Sequence, residues 1–433
     1  MKAPRAWITG LALLAAAATA NAGEAPATLA GRLLDQLDAA QYAAAEASFS
    51  PQMKAAVPAD KLKAVWQSLP AQMGAAGPRG TAVTSEADGF RIVVIPLQYA
   101  NGGLQARIVL DKDDKVAGFL VQPAAAPPAP APAADARYIE KDFSVPASGT
   151  ATAELPGTLT LPKGKGPFPA IVLVHGSGPQ DRDESVGPNR PFLDIARGLA
   201  AQGIAVLRYE KRSHARPQDF KTTFSIDDET TDDAVAAVRA LAASADIDPG
   251  HIYLLGHSQG GLLAGRIAKA ANGTLAGLVL LAAPARPILD LLAEQNHYMA
   301  NLDGTVSSDE NAQLAALDAA IAAVRANPDA RLMEVPGRFW QQLEQVDPVA
   351  DARDSQLPML LLQGGRDFQV VDADWQRWKQ GLKGERYHFR HYPALNHLGI
   401  AGEGKGSLQE YARPGHVDAA LINDIAQWIK AQP

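Results

Sequence analysis

The chain has 433 residues, of which 47% are hydrophobic and 20% are charged, so it is long enough for two or three globular domains. Its net charge of −7 argues against nucleic acid and anionic membrane surfaces as partners, because both require a basic face. The absence of cysteine excludes disulfides, thiolate-bound zinc and a lipid anchor on cysteine. Small neutral molecules are therefore the expected substrates.

The first 22 residues have the composition of a secretory signal peptide. Lys2 and Arg5 supply positive charge, the segment WITGLALLAAAATA supplies a short apolar core, and residues 20–22 form a cleavage site of the A-x-A type. The apolar core is too short and too rich in alanine to favour a membrane anchor. We therefore expect cleavage after Ala22 and export to the periplasm or the medium, with no membrane insertion of the mature chain.

Residues 24–122 are predicted to form a small α+β domain. Apolar residues recur at helical spacing up to about residue 75, and three strand-like segments follow, FRIVVIPLQY, LQARIVLD and VAGFLVQ. Turn sequences separate these segments, which favours an antiparallel meander. The next segment, residues 123–137, is rich in proline and alanine and is typical of a stiff, extended linker.

Residues 138–433 show a different pattern, in which short apolar runs alternate with helix-sized segments. The runs are AIVLVHG, IAVLRY, IYLLGH, LAGLVLLAAP and MLLLQGG. This alternation predicts an α/β fold with a doubly wound, mostly parallel sheet and helices on both faces. In such a fold the functional site lies on loops at the carboxyl ends of the strands.

A long insertion, at about residues 285–356, separates two of these strands. Its apolar residues have helical spacing, so it is predicted to form a helical cap over the site. Phe339 and Trp340 lie in this insertion. We expect them to pack beneath the cap rather than to line an acyl pocket, because that is the commoner environment of such aromatic residues.

Ser258 is the predicted nucleophile. It lies in the segment LLGHSQGG, which matches G-x-S-x-G with Gly256 and Gly260 two residues to either side. Glycines at these positions relieve crowding at a strained turn from strand to helix. The alternative is a structural turn serine. The strand-like HIYLL before the motif and the helix-like GGLLAGRIAKA after it favour the nucleophile.

His397 is the predicted general base. In this fold the acid and the histidine follow the nucleophile along the chain, which restricts the search to residues after Ser258. His397 lies in the loop ALNHLG, just beyond the last predicted strand. His388 and His391 lie within that strand, in RYHFRHYP, and are expected to be ordinary strand side chains.

Asp367 is predicted to orient His397. It lies in MLLLQGGRDFQV, on the loop after the preceding strand, where two glycines ease the turn. A turn or capping aspartate is the alternative interpretation of this residue. Asp347 and Asp351 are the reserve candidates for the same role.

Two backbone N–H groups are predicted to form the oxyanion hole. Gln259 follows the nucleophile and supplies the first. The second is expected from Ser177 in the segment HGSG, with Gly178 as a less favoured alternative. A role for the side chain of Ser177 is disfavoured.

The same loop suggests two other kinds of site, which we disfavour. Its glycines lack the spacing of nucleotide-binding motifs. Its acidic residues have no histidine pair at ligand spacing near them: Asp181, Asp183 and Glu184. The acidic run DDETTDD, residues 227–233, is interpreted as the negatively charged start of a helix. We therefore predict neither a cofactor nor a required metal.

Four motifs occur in one order along the chain: LVHGSGPQDRDE, LLGHSQGG, GGRDFQV and NHLG. Together they resemble bacterial α/β-hydrolases of the EstD-type serine esterase group, over residues 138–433. The resemblance implies carboxylesterase activity on short acyl esters, with a triad and oxyanion loop that correspond to the residues named above. Some members also carry a small preceding domain of unknown role, to which residues 24–122 are similar.

The expected activity is hydrolysis of a small ester through an acyl-enzyme intermediate. Ser258 attacks the carbonyl as His397 takes its proton, and Asp367 keeps the imidazole in the useful tautomer. Serine peptidases and thioesterases share this chemistry and stay as alternatives. A third alternative is a catalytically inactive binding protein in which the first domain is the working part.

Overall fold

The computed structural model describes residues 24–87, 89–100, 102–124, 129–149, 153–220 and 223–433. The predicted signal peptide lies outside these ranges. The chain divides into two compact units, one built mainly from residues before 123 and the other mainly from residues after it. In the part of the chain that the structure covers, no helix is both long and apolar enough to cross a bilayer.

The first unit contains helices followed by an antiparallel sheet. Its described helices are α1 (Pro26–Asp38), α2 (Tyr42–Ala47), α3 (Pro51–Ala56) and α4 (Ala59–Met73). Its described strands are β1 (Val83–Ala87), β2 (Phe90–Tyr99), β3 (Gly102–Leu110) and β4 (Val116–Pro123), and they lie in that order in the sheet. The α+β class predicted for this region is confirmed.

In the first unit, the spacing of apolar residues along the sequence matches the side chains that are buried. α1 begins with proline in its first turn, where the missing N–H is not needed, and buries Leu33, Leu34 and Leu37 on one face. β3 alternates between buried and half-buried residues along its length, as a strand with one covered face does. The described part of the proline- and alanine-rich segment that follows, residues 124 and 129–137, has neither helix nor strand.

The second unit is organised around one large sheet. Its described strands are β5 (Tyr138–Pro146), β6 (Glu154–Pro162), β7 (Phe168–Val174), β8 (Ala205–Tyr209), β9 (Ile247–His257), β10 (Gly277–Leu281), β13 (Met359–Gly364) and β14 (Tyr387–Tyr392). They lie in the order β14-β13-β10-β9-β7-β8-β6-β5. The six strands from β14 to β8 are parallel to one another. The predicted doubly wound, mostly parallel sheet is confirmed.

Two strands at one edge of this sheet were not predicted. β6 pairs antiparallel with β8, and β5 pairs antiparallel with β6. Only one side chain of β5 is fully buried, so this strand lacks the continuous apolar run that marks the parallel strands. β5 lies at the edge of the sheet and has a neighbouring strand on one side only, so it does not need a continuous apolar run.

Helices flank both faces of the sheet. Those described in this unit are α5 (Pro191–Ala200), α6 (Arg212–Ala215), α7 (Asp232–Ala242), α8 (Gln259–Leu262), α9 (Ala264–Ala271), α14 (Asp372–Gly381) and α15 (Ala419–Lys430). Side chains of β7 show the two layers: Ile171 and Leu173 pack with α5 and α15, and Val172 and Val174 pack with α7 and α9. Alternate residues of one strand thus contribute to two cores, which explains the uninterrupted apolar run.

The insertion between β10 and β13 is largely helical. It contains α10 (Ile288–Ala300), α11 (Ser308–Ala326), the short strands β11 (Arg331–Leu332) and β12 (Val335–Pro336), α12 (Gly337–Glu344) and α13 (Pro348–Asp354). It has a small core of its own, formed by Leu289, Ile321, Val324 and Leu332. We call residues 285–356 the cap. A separate core lets this segment form a wall over the strand ends.

Candidate active site

Ser258 lies at the sharp turn between β9 and α8. Its backbone has φ 51° and ψ −120°, a strained conformation for a residue with a Cβ, and its N–H donates to the carbonyl of Leu281 at 3.0 Å. The turn depends on glycine, since a Cβ on Gly256 would lie 2.3 Å from the carbonyl oxygen of Gly260. A Cβ on Gly260 would lie 2.4 Å from the carbonyl oxygen of Val174. This is the geometry of a nucleophile elbow.

The structure pairs His397 with Asp367. The Nδ1 atom of His397 lies 2.8 Å from Oδ2 of Asp367, and both side chains are buried. The other carboxylate oxygen of Asp367 accepts from the backbone N–H groups of Gln369 and Val370, at 2.8 and 2.9 Å. A carboxylate held in this way fixes the proton of His397 on Nδ1 and leaves Nε2 as a base.

The other histidines and aspartates considered for these roles lie elsewhere. His388 and His391 are side chains of β14. Asp347 caps the start of α13 by accepting from the N–H of Ala350, and Asp351 lies within the same helix. The order of these residues along the chain and the loop position of Asp367 therefore select the pair that the structure brings together.

Ser258 and His397 line the same small cavity, of about 230 Å³, which also includes Ser177. Ser177 lies on the loop after β7, and Gly176 brings that loop close to the nucleophile: a Cβ on Gly176 would lie 3.2 Å from the Cβ of Ser258. Gln259 is the first residue of α8, so its N–H has no acceptor within the helix. The residues predicted for the oxyanion hole thus flank the nucleophile on two sides.

Glu184 and His257 form a buried ion pair beside the residues of the predicted triad. Nδ1 of His257 lies 2.9 Å from the carboxylate of Glu184, and Nε2 lies 3.0 Å from the carbonyl oxygen of His397. Glu184 also accepts from the N–H of Gly176 at 2.6 Å. Burial favours the neutral imidazole, but the charge of Glu184 and these hydrogen bonds outweigh it and raise the pKa of His257. Both ring nitrogens face oxygen acceptors, as an imidazolium requires.

A second buried ion pair joins Lys211 and Glu229, with 2.6 Å between Nζ and Oε1. The two side chains are 3% and 6% exposed. Lys211 also donates to the carbonyl of Gly176 at 2.7 Å, and Gln259 donates from Nε2 to Glu229 at 3.0 Å.

Residues 227–233 begin a helix with acidic residues in its first turn, as predicted, but Glu229 is in addition a buried partner of Lys211. Asp233 is also buried and pairs with Arg212. A sequence signal for Lys211 is its position just beyond the carboxyl end of β8, where functional residues of parallel sheets collect.

The acidic loop after Ser177 is occupied by structural contacts. Asp181 accepts from the N–H groups of Asp183 and Ser185, and Asp183 pairs with the guanidinium group of Arg208. Within the described ranges, no group of three or more histidine or acidic side chains is arranged to hold a metal ion. That the protein needs no metal or cofactor stays a prediction.

The main cavity next to Ser258 has a volume of about 430 Å³, and the cap supplies most of its apolar wall. These cap residues are Ile288, Leu291, Leu292, Met333, Val335, Phe339 and Trp340. The expectation that Phe339 and Trp340 only pack beneath the cap is wrong: both line the cavity, with ring centroids 5.9 Å apart. Ser177, Gln259 and Glu229 also line the cavity and supply polar groups to it. The cavity thus offers an apolar surface beside the predicted nucleophile.

Comparison with known families agrees with the geometry. Residues 167–403, more than half of the chain, match the family described as serine aminopeptidase, S33. The chain belongs to this hydrolase family. Residues 30–119 match a family described as a protein of unknown function, DUF3887.

The predicted resemblance to EstD-type esterases is confirmed. Esterase EstD of Thermotoga maritima is 37% identical over 384 residues, which cover 88% of this chain and 89% of that protein. The putative esterase NocK of Nocardia uniformis subsp. tsuyamanensis is 27% identical over 181 residues, which cover 37% of this chain and 51% of that protein.

Solved structures with a similar fold include Est1E of Butyrivibrio proteoclasticus with bound ferulic acid. That protein is 16% identical to this chain, and the superposition has a TM-score of 0.46. The matched region covers 67% of this chain and 98% of that protein. A proline iminopeptidase of Mycobacterium smegmatis is 17% identical, with the same coverage and a TM-score of 0.43.

Proposed function

We propose that this protein is a serine carboxylesterase that hydrolyses small esters with short acyl chains through an acyl-enzyme on Ser258. The chain is a carboxylesterase-type hydrolase by its relationship to Esterase EstD over most of both proteins. The single observation that carries the proposed mechanism is the pairing of His397 with Asp367 at 2.8 Å, on loops that meet beside the elbow serine.

The proposed reaction has two steps. Oγ of Ser258 attacks the ester carbonyl carbon, its proton passes to Nε2 of His397, and the tetrahedral oxyanion accepts hydrogen bonds from the N–H groups of Ser177 and Gln259. The carbon–oxygen bond to the alcohol then breaks, and His397 gives its proton to the departing alcohol. Water next attacks the acyl-enzyme by the reverse sequence, which releases the acid and restores Ser258.

The decisive variant is Ser258→Ala. We expect it to lower kcat for p-nitrophenyl acetate by about 10⁴-fold or more, because the covalent step is lost. The circular dichroism spectrum and unfolding temperature should stay close to those of the wild type. Ser177→Ala is the comparison, since it removes a nearby hydroxyl but keeps the backbone N–H, and its loss should be far smaller. Retained turnover in Ser258→Ala would remove the assignment.

The short-chain preference is supported by the resemblance to the EstD group. A series of p-nitrophenyl esters from acetate to decanoate measures it, with kcat/KM expected to fall as the chain lengthens beyond the short acyl groups. A maximum at the long end of the series would contradict this part of the proposal.

The alternatives are a serine peptidase and a thioesterase, which share the acyl-enzyme chemistry. Esters, aminoacyl amides and thioesters of the same acyl group discriminate them when compared on one enzyme preparation. We expect the highest kcat/KM for the ester after correction for the intrinsic reactivity of each leaving group. A third alternative, an inactive binding protein, predicts no turnover of any of the three.

We also propose that residues 1–22 are an export signal and that the mature chain works in the periplasm or the medium. The support is the charge, the short apolar core and the A-x-A site at the start of the chain. Mass spectrometry of protein from fractionated cells tests the proposal. Exported protein should begin at Gly23, whereas an intact amino terminus confined to the cytosolic fraction would contradict it.

A further inference from the structure

One peptide plane determines where the second oxyanion donor points. In a trans peptide, the carbonyl of Gly176 and the N–H of Ser177 lie in one plane and point in opposite directions across the C–N bond. The Nζ atom of Lys211 donates to that carbonyl at 2.7 Å. An ammonium group that holds the carbonyl in one direction therefore holds the Ser177 N–H in the opposite direction.

Lys211 is tied to the same loop at a second point. Its own backbone N–H donates to the carbonyl of Gln180 at 3.1 Å. The residue thus contacts the oxyanion loop, defined as residues 176–180, with both main chain and side chain. Because Lys211 lies two residues beyond the end of β8, these contacts attach the loop to the end of a buried strand of the central sheet.

Glu229 extends the arrangement to the other oxyanion donor. One carboxylate oxygen lies 2.6 Å from Nζ of Lys211, and the other accepts from Nε2 of Gln259 at 3.0 Å. The Ser177 peptide and the first turn of α8 are therefore held by one connected set of charged and polar side chains. Hydrogen bonds to charged groups are stronger than those between neutral groups, which suits a rigid link.

The burial of the pair needs a reason other than stability. Removing two charges from water is unfavourable, and a buried ion pair is often no more stabilising than apolar residues of similar volume. Oxyanion stabilisation, in contrast, depends on donors that are already oriented when charge develops on the substrate oxygen. The contacts of Lys211 and Glu229 supply that orientation.

We propose that Lys211 is a positioning residue for the oxyanion hole and that Glu229 holds its ammonium group in place while also orienting Gln259. This inference rests on the proposed function, because it assigns the amides of Ser177 and Gln259 to the oxyanion. Lys211 itself does not take part in bond making or breaking. It acts through the Gly176–Ser177 peptide.

The double variant Lys211→Met/Glu229→Gln tests the proposal without leaving one buried charge unpaired. We expect an unfolding temperature close to that of the wild type, a kcat for p-nitrophenyl acetate lowered by about 10- to 100-fold, and a KM changed by less than about threefold. The reason is that a misaligned donor is felt mainly in the transition state.

A trifluoromethyl ketone, which forms a tetrahedral oxyanion adduct, provides a second measurement. Its inhibition constant would not change if Lys211 and Glu229 had only a structural role. Its inhibition constant should rise in the double variant by about the same factor as kcat/KM falls, since adduct and transition state use the same donors. Lys211→Arg keeps a cationic donor and should recover part of the activity that the double variant loses. Glu229→Gln alone, which keeps an acceptor for Gln259, should give an intermediate loss.

Lys141→Met is the matched control, because it breaks an ion pair between a lysine and an aspartate on the surface. Lys141 pairs with Asp246, and both side chains are about half exposed. Its kinetic constants should equal those of the wild type. A double variant with wild-type kcat, or with an inhibition constant that does not follow kcat/KM, would overturn the role of Lys211. A wild-type enzyme that turns over no ester would instead overturn the proposed function.

Discussion

The environment of Asp367 explains why it suits the orienting role better than the other aspartates near it in the chain. Both of its carboxylate oxygens are engaged, one by His397 and the other by two backbone N–H groups. Its neighbour Asp374 is also buried, but its carboxylate accepts from the backbone N–H groups of Ala285 and Arg286 and from the guanidinium group of Arg286. A position after a strand therefore limits which aspartates can orient His397, and the hydrogen-bond partners of each aspartate then select Asp367.

Part of the site was accessible to sequence reasoning, and part was not. Ser258 is marked by a local motif, and His397 and Asp367 are marked by their order and loop positions. Glu184 and His257 lie within two of the motifs, but their pairing with each other could not be predicted, and neither could that of Lys211 with Glu229, because these contacts form between separate segments of the chain. Such pairs become visible only once the sheet brings the loops together.

His175 is expected to make the protein less stable in acid. Its ring is buried between Phe192 and Tyr209, and burial lowers its pKa from 6.5 to about 4. The unfolded chain therefore takes up this proton near pH 6.5 and the folded chain only near pH 4, so stability falls as the pH drops between these values. The difference corresponds to about 3 kcal/mol at pH 4.

Urea unfolding of the wild type and of His175→Gln at pH 7.5 and pH 4 measures this effect. The wild type should lose more unfolding free energy than the variant over this interval, by about 2 to 3 kcal/mol. The other titrating groups are common to both proteins, so the comparison isolates His175. An equal loss in the two proteins would show that His175 takes up its proton similarly in both states.

At the scale of elements, the turn between β9 and α8 is held close to the end of β7. Replacement of Gly260 by alanine would place a Cβ 2.4 Å from the carbonyl oxygen of Val174 and 2.7 Å from that of His175. Both carbonyl oxygens belong to the backbone at the end of β7 and the start of the loop that follows it. The added Cβ can therefore be accommodated only if the elbow moves. We expect Gly260→Ala to lower the unfolding free energy by about 1 to 3 kcal/mol and to reduce esterase activity.

Gly250→Ala is the control for this prediction. Gly250 lies in the same strand as the start of the elbow, and an added Cβ would meet only Asp248, at an ordinary distance of 3.4 Å. Its effect should stay within about 0.5 kcal/mol in the same urea titration. Equal stability and activity of the two variants would show that the elbow tolerates a side chain at position 260.

The elements that the sequence pattern predicted share one physical property. β7, β9, β10 and β13 are covered on both faces, and this requires the continuous apolar runs by which they were identified. β1 and β5 are the opposite case, since all side chains of β1 are exposed and most of those of β5 are exposed or half-buried. Edge strands of this kind are specified by pairing with their neighbours rather than by their own composition.

At the scale of the whole molecule, the residues assigned to catalysis all come from the second unit. The triad, the oxyanion donors and the cap lie within residues 138–433, and that unit has its own two-layered core. The first unit matches a family of unknown function and has no assigned chemistry. We therefore expect residues 138–433 to be sufficient for ester hydrolysis.

Expression of residues 138–433 alone tests this expectation. The kcat for p-nitrophenyl acetate should remain within about threefold of the full-length value, because a domain with its own core folds independently. The full-length protein, purified in parallel, is the reference. A folded fragment with a kcat lowered by more than about tenfold would show that the first unit contributes to catalysis.

Covalent labelling by a fluorophosphonate tests most directly whether Ser258 is the activated nucleophile. Wild-type protein and Ser258→Ala are treated with the probe, digested and analysed by peptide mass spectrometry. We expect one adduct in the wild type, on the peptide that contains Ser258, and none in the variant. An adduct on another residue, or equal labelling of both proteins, would contradict the assignment of Ser258.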